Sequence, residues 1–180
     1  MSELSIFAPD EVELLARALF KVGAWISYAE DEEGEADDEQ EMKALAACIR
    51  AVAKKHDGPG LVDDIARETL ARQDQWENWA EDSFHALDEC AQAVALLKSR
   101  APASDVKNYK AALMEVAVTV AQASGEFGQY DDEDIGLFGA LLGKITGAFS
   151  GLTADDAGHP MNVSAAEDEA LGRLRKLLKD

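Results

Sequence analysis

The chain has 180 residues, 47% hydrophobic and 29% charged, which is the composition of a globular protein with one domain-sized core. Its 36 acidic and 17 basic residues give a net charge of -19, which repels nucleic-acid phosphates and anionic membrane surfaces. We therefore expect no nucleic-acid partner. The N-terminal residues lack the pattern of a secretory leader, and no run reaches the roughly 18 apolar residues of a membrane span. We expect a cytoplasmic protein without direct membrane insertion.

The apolar residues recur with a helical period almost everywhere, which predicts an all-α fold. The first helix should begin near Ala8, with Pro9 at its first position and Asp10 and Glu11 in its first turn, where the helix dipole favours acidic side chains. A second helix should start around Asp37 and end at the Gly-Pro-Gly breaker of residues 58–60.

Five more helices follow in the pattern. We predict them over residues 61–73, 75–98, 104–123, 131–149 and 164–179, with a linker around Pro102 and a polar loop before the last helix. The expected architecture is a single compact bundle of about seven helices that fills residues 1–180 as one domain.

The most unusual segment lies between the first two predicted helices. Residues 30–41 read EDEEGEADDEQE, with nine carboxylates in twelve positions and no base. Such a run is either a solvated connection or a binding site, and its composition alone does not distinguish the two.

An internal repeat appears when the chain is shifted by 94 positions. Glu32 then aligns with Glu126, and the acidic triplet at residues 37–39 aligns with the triplet at residues 131–133. The preceding helices align too, because one apolar stripe falls on the other: Leu19, Val22, Ile26 and Ala29 on Leu113, Val116, Val120 and Ala123. The repeat predicts two pseudo-symmetric halves, about residues 10–100 and 104–180, around a common core.

These segments resemble a known family. The unit AEDEEGEADDEQEMKAL, its copy ASGEFGQYDDEDIGLF and the closing VSAAEDEALGRLRKLL look like the TerB-like family, the small all-helical domain of tellurite-resistance proteins. The family pattern has Asp-Gly where this chain has Glu32-Glu33 before Gly34 and, in the second copy, Ser124-Gly125. The resemblance implies an acidic patch that binds divalent cations, in a setting of stress response or metal resistance.

Capping explains part of the acidic segments. Asp37 with Gln40, and Asp131 with Asp134, have or approach the spacing of a capping box. The remaining carboxylates at residues 30–35 cap nothing, so a site for Ca²⁺ or Mg²⁺ or for a basic protein surface stays open beside the interpretation as solvated caps. An EF-hand is excluded because, counting from Asp31, the sixth and twelfth positions are Ala36 and Met42.

The candidate metal ligands are the acidic residues of both copies. The ten candidates are Asp31, Glu32, Glu35, Asp37, Asp38, Glu39, Glu126, Asp131, Asp132 and Glu133.

A second constellation lies on the helix predicted over residues 75–98. Glu81, His85 and Glu89 are four apart and should share one face, and Asp82 with His85 has the Asp-x-x-His spacing of carboxylate-bridged di-iron bundles. The matching second pair is missing, because the other candidate, near His159, falls in a loop. A charged surface is the expected interpretation, and a di-metal enzyme is the remote alternative.

Other features are best explained as structural. Trp76 and Trp79, one turn apart, should cover a core, and Cys48 and Cys90 should be small buried hydrophobes in a reducing compartment. A glycine stripe in the helix over residues 131–149 suggests close approach of another helix, within the fold or across a homodimer.

The inventory for catalysis is poor. The three histidines are scattered, and no nucleophile motif, phosphate loop or zinc spacing occurs. The sequence favours a non-enzymatic accessory or sensing module that binds a divalent cation or a protein partner through its acidic loops. The alternative is a purely helical scaffold or interaction module without metal.

Overall fold

The structure is a computed structural model that describes residues 2–29, 38–55, 60–124 and 165–179. Within these residues it contains seven α-helices, three short 3₁₀ segments and no strand. The predicted all-α class is therefore confirmed for this part of the chain. The helix predicted over residues 131–149, with its glycine stripe, lies outside the described residues.

The helices follow the predicted order with one exception. Their bounds are α1 (Pro9–Tyr28), α2 (Asp38–Lys55), α3 (Leu61–Ala71), α4 (Trp76–Glu81), α5 (Ala86–Arg100), α6 (Ala103–Ser124) and α7 (Ala165–Lys179). The 3₁₀ segments are Glu3–Ile6, Gln73–Gln75 and Ser83–His85. The exception is the helix predicted over residues 75–98, which the structure divides into α4, a 3₁₀ segment and α5.

Helix α1 is the centre of the bundle, because it contacts each of the other six α-helices. It begins as predicted, with Pro9 as its first residue and Asp10 and Glu11 in its first turn. The Glu11 carboxylate accepts a hydrogen bond from the Ala8 backbone N–H at 2.8 Å, which satisfies a donor that the helix leaves unpaired.

Contacts along α1 give the directions of its two main neighbours. Arg100 of α5 pairs with Glu11 near the start of α1, and Glu89 of α5 pairs with Lys21 further along, so α5 runs antiparallel to α1. Helix α6 runs parallel to α1, because Tyr109 bonds to Leu15 while later residues of α6 reach Gly23.

The aligned apolar stripes of the repeat meet in the core. Six of the seven stripe positions with described side chains are buried, namely Leu19, Val22, Ile26, Leu113, Val116 and Val120, and the seventh, Ala29, is partly buried against the core. A Cβ at Gly23 would collide with Leu45 of α2 and lie only 3.0 Å from Val116 Cγ1. Glycine suits this position because the side chains of Leu45 and Val116 occupy the space that a Cβ would need, at the junction of α1, α2 and α6.

Helix α3 ends two residues earlier than predicted, and Trp76 forms a hydrogen bond with this end of the helix. Its indole Nε1 donates a hydrogen bond to the Thr69 carbonyl oxygen at 3.0 Å, which is the acceptor that the N–H of Gln73 would use in a continuing helix. The chain then turns through the 3₁₀ segment into α4.

The sequence predicts no membrane-spanning segment. Among the described residues, no helix combines the length and the apolar character that a bilayer crossing needs.

Candidate functional site

Most of the predicted metal ligands lie outside the described residues: Asp31, Glu32, Glu35, Asp37, Glu126, Asp131, Asp132 and Glu133. The other two, Asp38 and Glu39, are the first two residues of α2. The predicted start of the second helix is thus correct to one residue. Acidic residues in that first turn interact favourably with the helix dipole, as the capping interpretation requires.

The described helices do locate the two points from which the acidic segments continue. Helix α1 is followed by residues 30–37 and α6 by the second copy of the acidic segment. Because α1 and α6 run parallel, Ala29 and Ser124, the last described residues before the two segments, lie at the same end of the helix pair.

The described parts of the chain contain no group of three or more His, Cys, Asp or Glu residues that could hold a metal ion. One group of carboxylates there surrounds basic side chains instead, and this arrangement is a buried polar feature of the bundle.

Lys21 is the centre of that feature. It lies on α1 with only 2% of its side chain exposed, and its Nζ is 2.9 Å from Glu89 Oε1 and 2.9 Å from Asp82 Oδ2. Burial of an ammonium group is costly unless it is paired and hydrogen-bonded. The two carboxylates meet that requirement, and the hydrogen bond from Lys21 lowers the pKa of Asp82 below its ordinary value.

The pairing extends along α1 as a chain of alternating charges. Glu89 Oε2 accepts a hydrogen bond from Arg17 at 2.9 Å, Arg17 also pairs with Glu13, and Glu13 contacts Arg72 of the α3 C-terminus at 3.5 Å. Positions 13, 17 and 21 follow one another at helical spacing, so a single edge of α1 carries the network. The network connects α1 to α3 and α5 through ion pairs, and its role is therefore structural.

The prediction that Glu81, His85 and Glu89 share one face of a helix over residues 75–98 is wrong. Glu81 and Glu89 do not share the face of one helix, because the helix is interrupted at Asp82. Glu89 is buried against Lys21, and His85 is exposed with its Nδ1 3.8 Å from Asp82 Oδ1. Asp82 and Glu89 therefore bind the ammonium group of Lys21.

Asp82 and Glu89 reach one ammonium from the two sides of the interruption. Seven residues of continuous α-helix would separate the Cα atoms of Asp82 and Glu89 by about 10 Å. In the structure Asp82 has φ -110° and ψ 23°, outside the helical region, a 3₁₀ segment follows, and both side chains reach Lys21. Sequence reasoning missed Lys21, although a single base inside the apolar run ALFKVGAWI was a usable signal.

The tryptophan prediction is confirmed. Trp76 and Trp79 are buried and both contact Phe20 of α1, with ring centroids 4.8 Å and 5.8 Å away. The pair covers the core, and the indole of Trp76 also donates a hydrogen bond to the end of α3 as described above.

The cysteines are buried and unbridged, as predicted. Burial raises the pKa of Cys48 and of Cys90 to about 12. Both thiols therefore stay protonated at neutral pH, and a protonated, inaccessible thiol is a poor nucleophile.

Comparison of the chain with protein-family models, with curated proteins and with solved structures finds no match. The TerB-like resemblance consequently remains an inference from the sequence.

Proposed function

We propose that the chain is a non-enzymatic, TerB-like accessory or sensing module whose two acidic segments bind a divalent cation, Ca²⁺ or Mg²⁺. The observation that supports this most directly is the parallel packing of α1 and α6, which places Ala29 and Ser124 at one end of the helix pair. Each of these residues is followed in sequence by one copy of the acidic segment.

The two-half arrangement is part of the same proposal. Tyr109 and Leu15, which are hydrogen-bonded at 2.8 Å, are separated by the repeat offset of 94 positions. A pseudo-two-fold axis between α1 and α6 would bring residues at equivalent positions of the two repeats into contact in this way. It would also relate the two acidic segments to each other.

The chemistry of the segments favours a hard cation. Ca²⁺ and Mg²⁺ take carboxylate and carbonyl oxygens, and the first segment supplies more carboxylates than its helix start can use. A basic surface of a protein partner is a ligand of the same charge and would compete for the same residues. The TerB-like resemblance extends the proposal to a role in the response to tellurite or other metal stress.

Calorimetry tests the cation proposal directly. Ca²⁺ and Mg²⁺ are titrated into the chelator-treated wild-type chain and into the double variant Asp37→Ala/Asp131→Ala. We expect heat of binding and a higher melting temperature for the wild type, since an ion at about 100 times its Kd stabilises by about 2.7 kcal/mol. The double variant should lose both effects.

A matched control removes the same amount of charge elsewhere. Asp74→Ala/Glu77→Ala changes two exposed acidic residues near α4 and should leave the binding heat intact. Equal loss of heat in both double variants would indicate diffuse ion attraction, and absence of heat from the wild type would contradict the cation proposal.

The scaffold alternative draws support from the start of α2 at Asp38, where the acidic residues stand in a first helical turn. For a pure scaffold, Asp37→Ala/Asp131→Ala should lower the free energy of unfolding by about 1 kcal/mol per lost cap, with no dependence on added cation.

A further inference from the structure

Helices α5 and α7 pack beside each other, and a groove of about 520 Å³ lies between them. Its walls are mostly apolar and are formed by Leu87, Ala91, Val94 and Ala95 of α5 with Leu177 of α7. Ala91 and Ala95 are exposed and one turn apart, so a further helix could approach this face closely.

Among the residues that the structure describes, the charged side chains that line the groove are all basic. Lys98 near the end of α5 and Arg173 and Lys176 of α7 line it, and no acidic residue does so among those the structure describes. This is unusual in a chain with 36 acidic and only 17 basic residues. The described lining is therefore basic in a protein whose net charge is -19.

Arg173 already has a carboxylate partner within its own helix. Its Nη2 is 2.7 Å from Glu169 Oε1, and both side chains are more than half exposed. An exposed pair at this spacing is weak and exchanges readily with other partners. Arg173 can thus pair with a carboxylate from outside while it stays on the groove.

We propose that this groove binds an acidic amphipathic helix of a partner protein. The apolar walls match the apolar face of such a helix, and the three bases match carboxylates that flank that face. The lining residues of α5 extend from Leu87 to Lys98, about 17 Å of helix, which is the length of about three turns of a partner helix. The proposal does not depend on cation binding by the acidic segments.

The negative net charge does not oppose this contact strongly at physiological salt. The Debye length is about 8 Å at an ionic strength of 0.15 M, so exposed acidic residues further away are largely screened. The bases that line the groove would contact an occupant directly, so they determine its preference for an acidic over a basic helix.

A displayed peptide library tests the proposal on the full chain. The peptides have about 15 residues, with leucine fixed at helical spacing and Glu, Lys, Gln or Ala allowed elsewhere. Selection at about 0.15 M salt should enrich peptides with Glu beside the leucines. Absence of binders, or enrichment without a preference for Glu over Lys, would overturn the proposal.

Variants then locate the site. Ala91→Glu places a charge on the apolar wall and Lys176→Glu reverses one base, and both positions are exposed, so folding should be preserved in a thermal melt. Each variant should bind the selected peptides with an affinity lower by about tenfold or more. Ala71→Glu on α3 and Lys107→Glu on α6, also exposed, are the matched controls and should leave affinity unchanged.

Two other occupants give different results. If a second copy of the chain fills the groove, sedimentation of the wild type will show a dimer that Ala91→Glu dissociates. If an anionic lipid fills it, dodecanoate will bind while the acidic peptides do not. Either result would overturn the proposal, as would equal peptide affinity in groove and control variants.

Discussion

The hydroxyl of Tyr109 donates a hydrogen bond to the backbone carbonyl oxygen of Leu15 across 2.8 Å, deep in the contact between α1 and α6. Tyr109 is completely buried, and burial raises the pKa of its hydroxyl well above the ordinary value. The bond therefore joins a neutral phenol to the central helix and helps to set the level at which α6 packs on α1.

Tyr109→Phe should destabilise the fold without changing its helical content. The substitution removes the hydrogen bond and retains the ring, so we expect the free energy of unfolding to fall by about 1 kcal/mol. Urea denaturation followed by far-ultraviolet circular dichroism measures the change. Unaltered stability would show that this bond contributes nothing to the α1–α6 contact.

Lys21→Met should be among the more damaging single substitutions. It leaves Glu89, whose side chain is only 12% exposed, without one of its two basic partners. Removing one member of a buried ion pair costs about 3–5 kcal/mol, and we expect the lower end because Arg17 still pairs with Glu89. Chemical denaturation of the variant provides the measurement.

The origin of that effect can be checked by a second substitution. Adding Glu89→Gln to Lys21→Met removes the unpaired charge and should restore part of the lost stability, since a buried amide costs less than a buried carboxylate. The control Lys107→Met, at an exposed position of α6, should change stability by less than about 0.5 kcal/mol. A double variant no more stable than Lys21→Met would argue against an electrostatic cause.

Asp82 should contribute an acid-sensitive part of the stability. The hydrogen bond from Lys21 lowers the pKa of Asp82 in the folded state below 3.8, its ordinary value, which the unfolded chain retains. The folded state therefore binds fewer protons in this range, and stability rises with pH. The contribution is complete above the ordinary pKa and is lost as pH falls through the folded pKa.

Urea denaturation of wild type and Asp82→Asn between about pH 6 and pH 2 measures this contribution. The stability difference between the two proteins should shrink as the pH falls below the ordinary Asp range. Asp74→Asn, which removes one formal charge from an exposed position, is the control. A wild-type advantage that persists undiminished at the lowest pH would refute the assignment.

Gly23→Ala should lower stability although alanine is the better helix former. The added methyl group gains about 1 kcal/mol of helix propensity but overpacks the junction of α1, α2 and α6, which costs about 1–3 kcal/mol. A net loss of about 1 kcal/mol is expected in thermal or urea unfolding.

Gly172→Ala is the matched comparison for that change. An added Cβ at Gly172, on α7, would meet nothing within 4 Å. This variant should therefore be stabilised by about 0.5–1 kcal/mol through helix propensity alone. If both glycine variants were stabilised equally, the close approach at Gly23 would not constrain the core.

Local signals in the sequence were sufficient to predict much of the fold. The helical period, Pro9 at a helix start, the linker near Pro102 and the buried stripes of the repeat each act over a few turns of chain, and the described helices agree with them. The same signals predicted an unbroken helix over residues 75–98, because nothing nearby in sequence indicates where it is interrupted.

The sequence by itself determined the helical class of the described residues, the apolar stripes and the acidic segment that recurs 94 positions later, since these depend on residue type and spacing. Only the tertiary structure decided that Lys21 is buried, that the chain breaks at Asp82, and that α1 and α6 run parallel. The physical reason is separation along the chain: Lys21 and Asp82 are 61 positions apart, and their pairing exists only after the helices have packed.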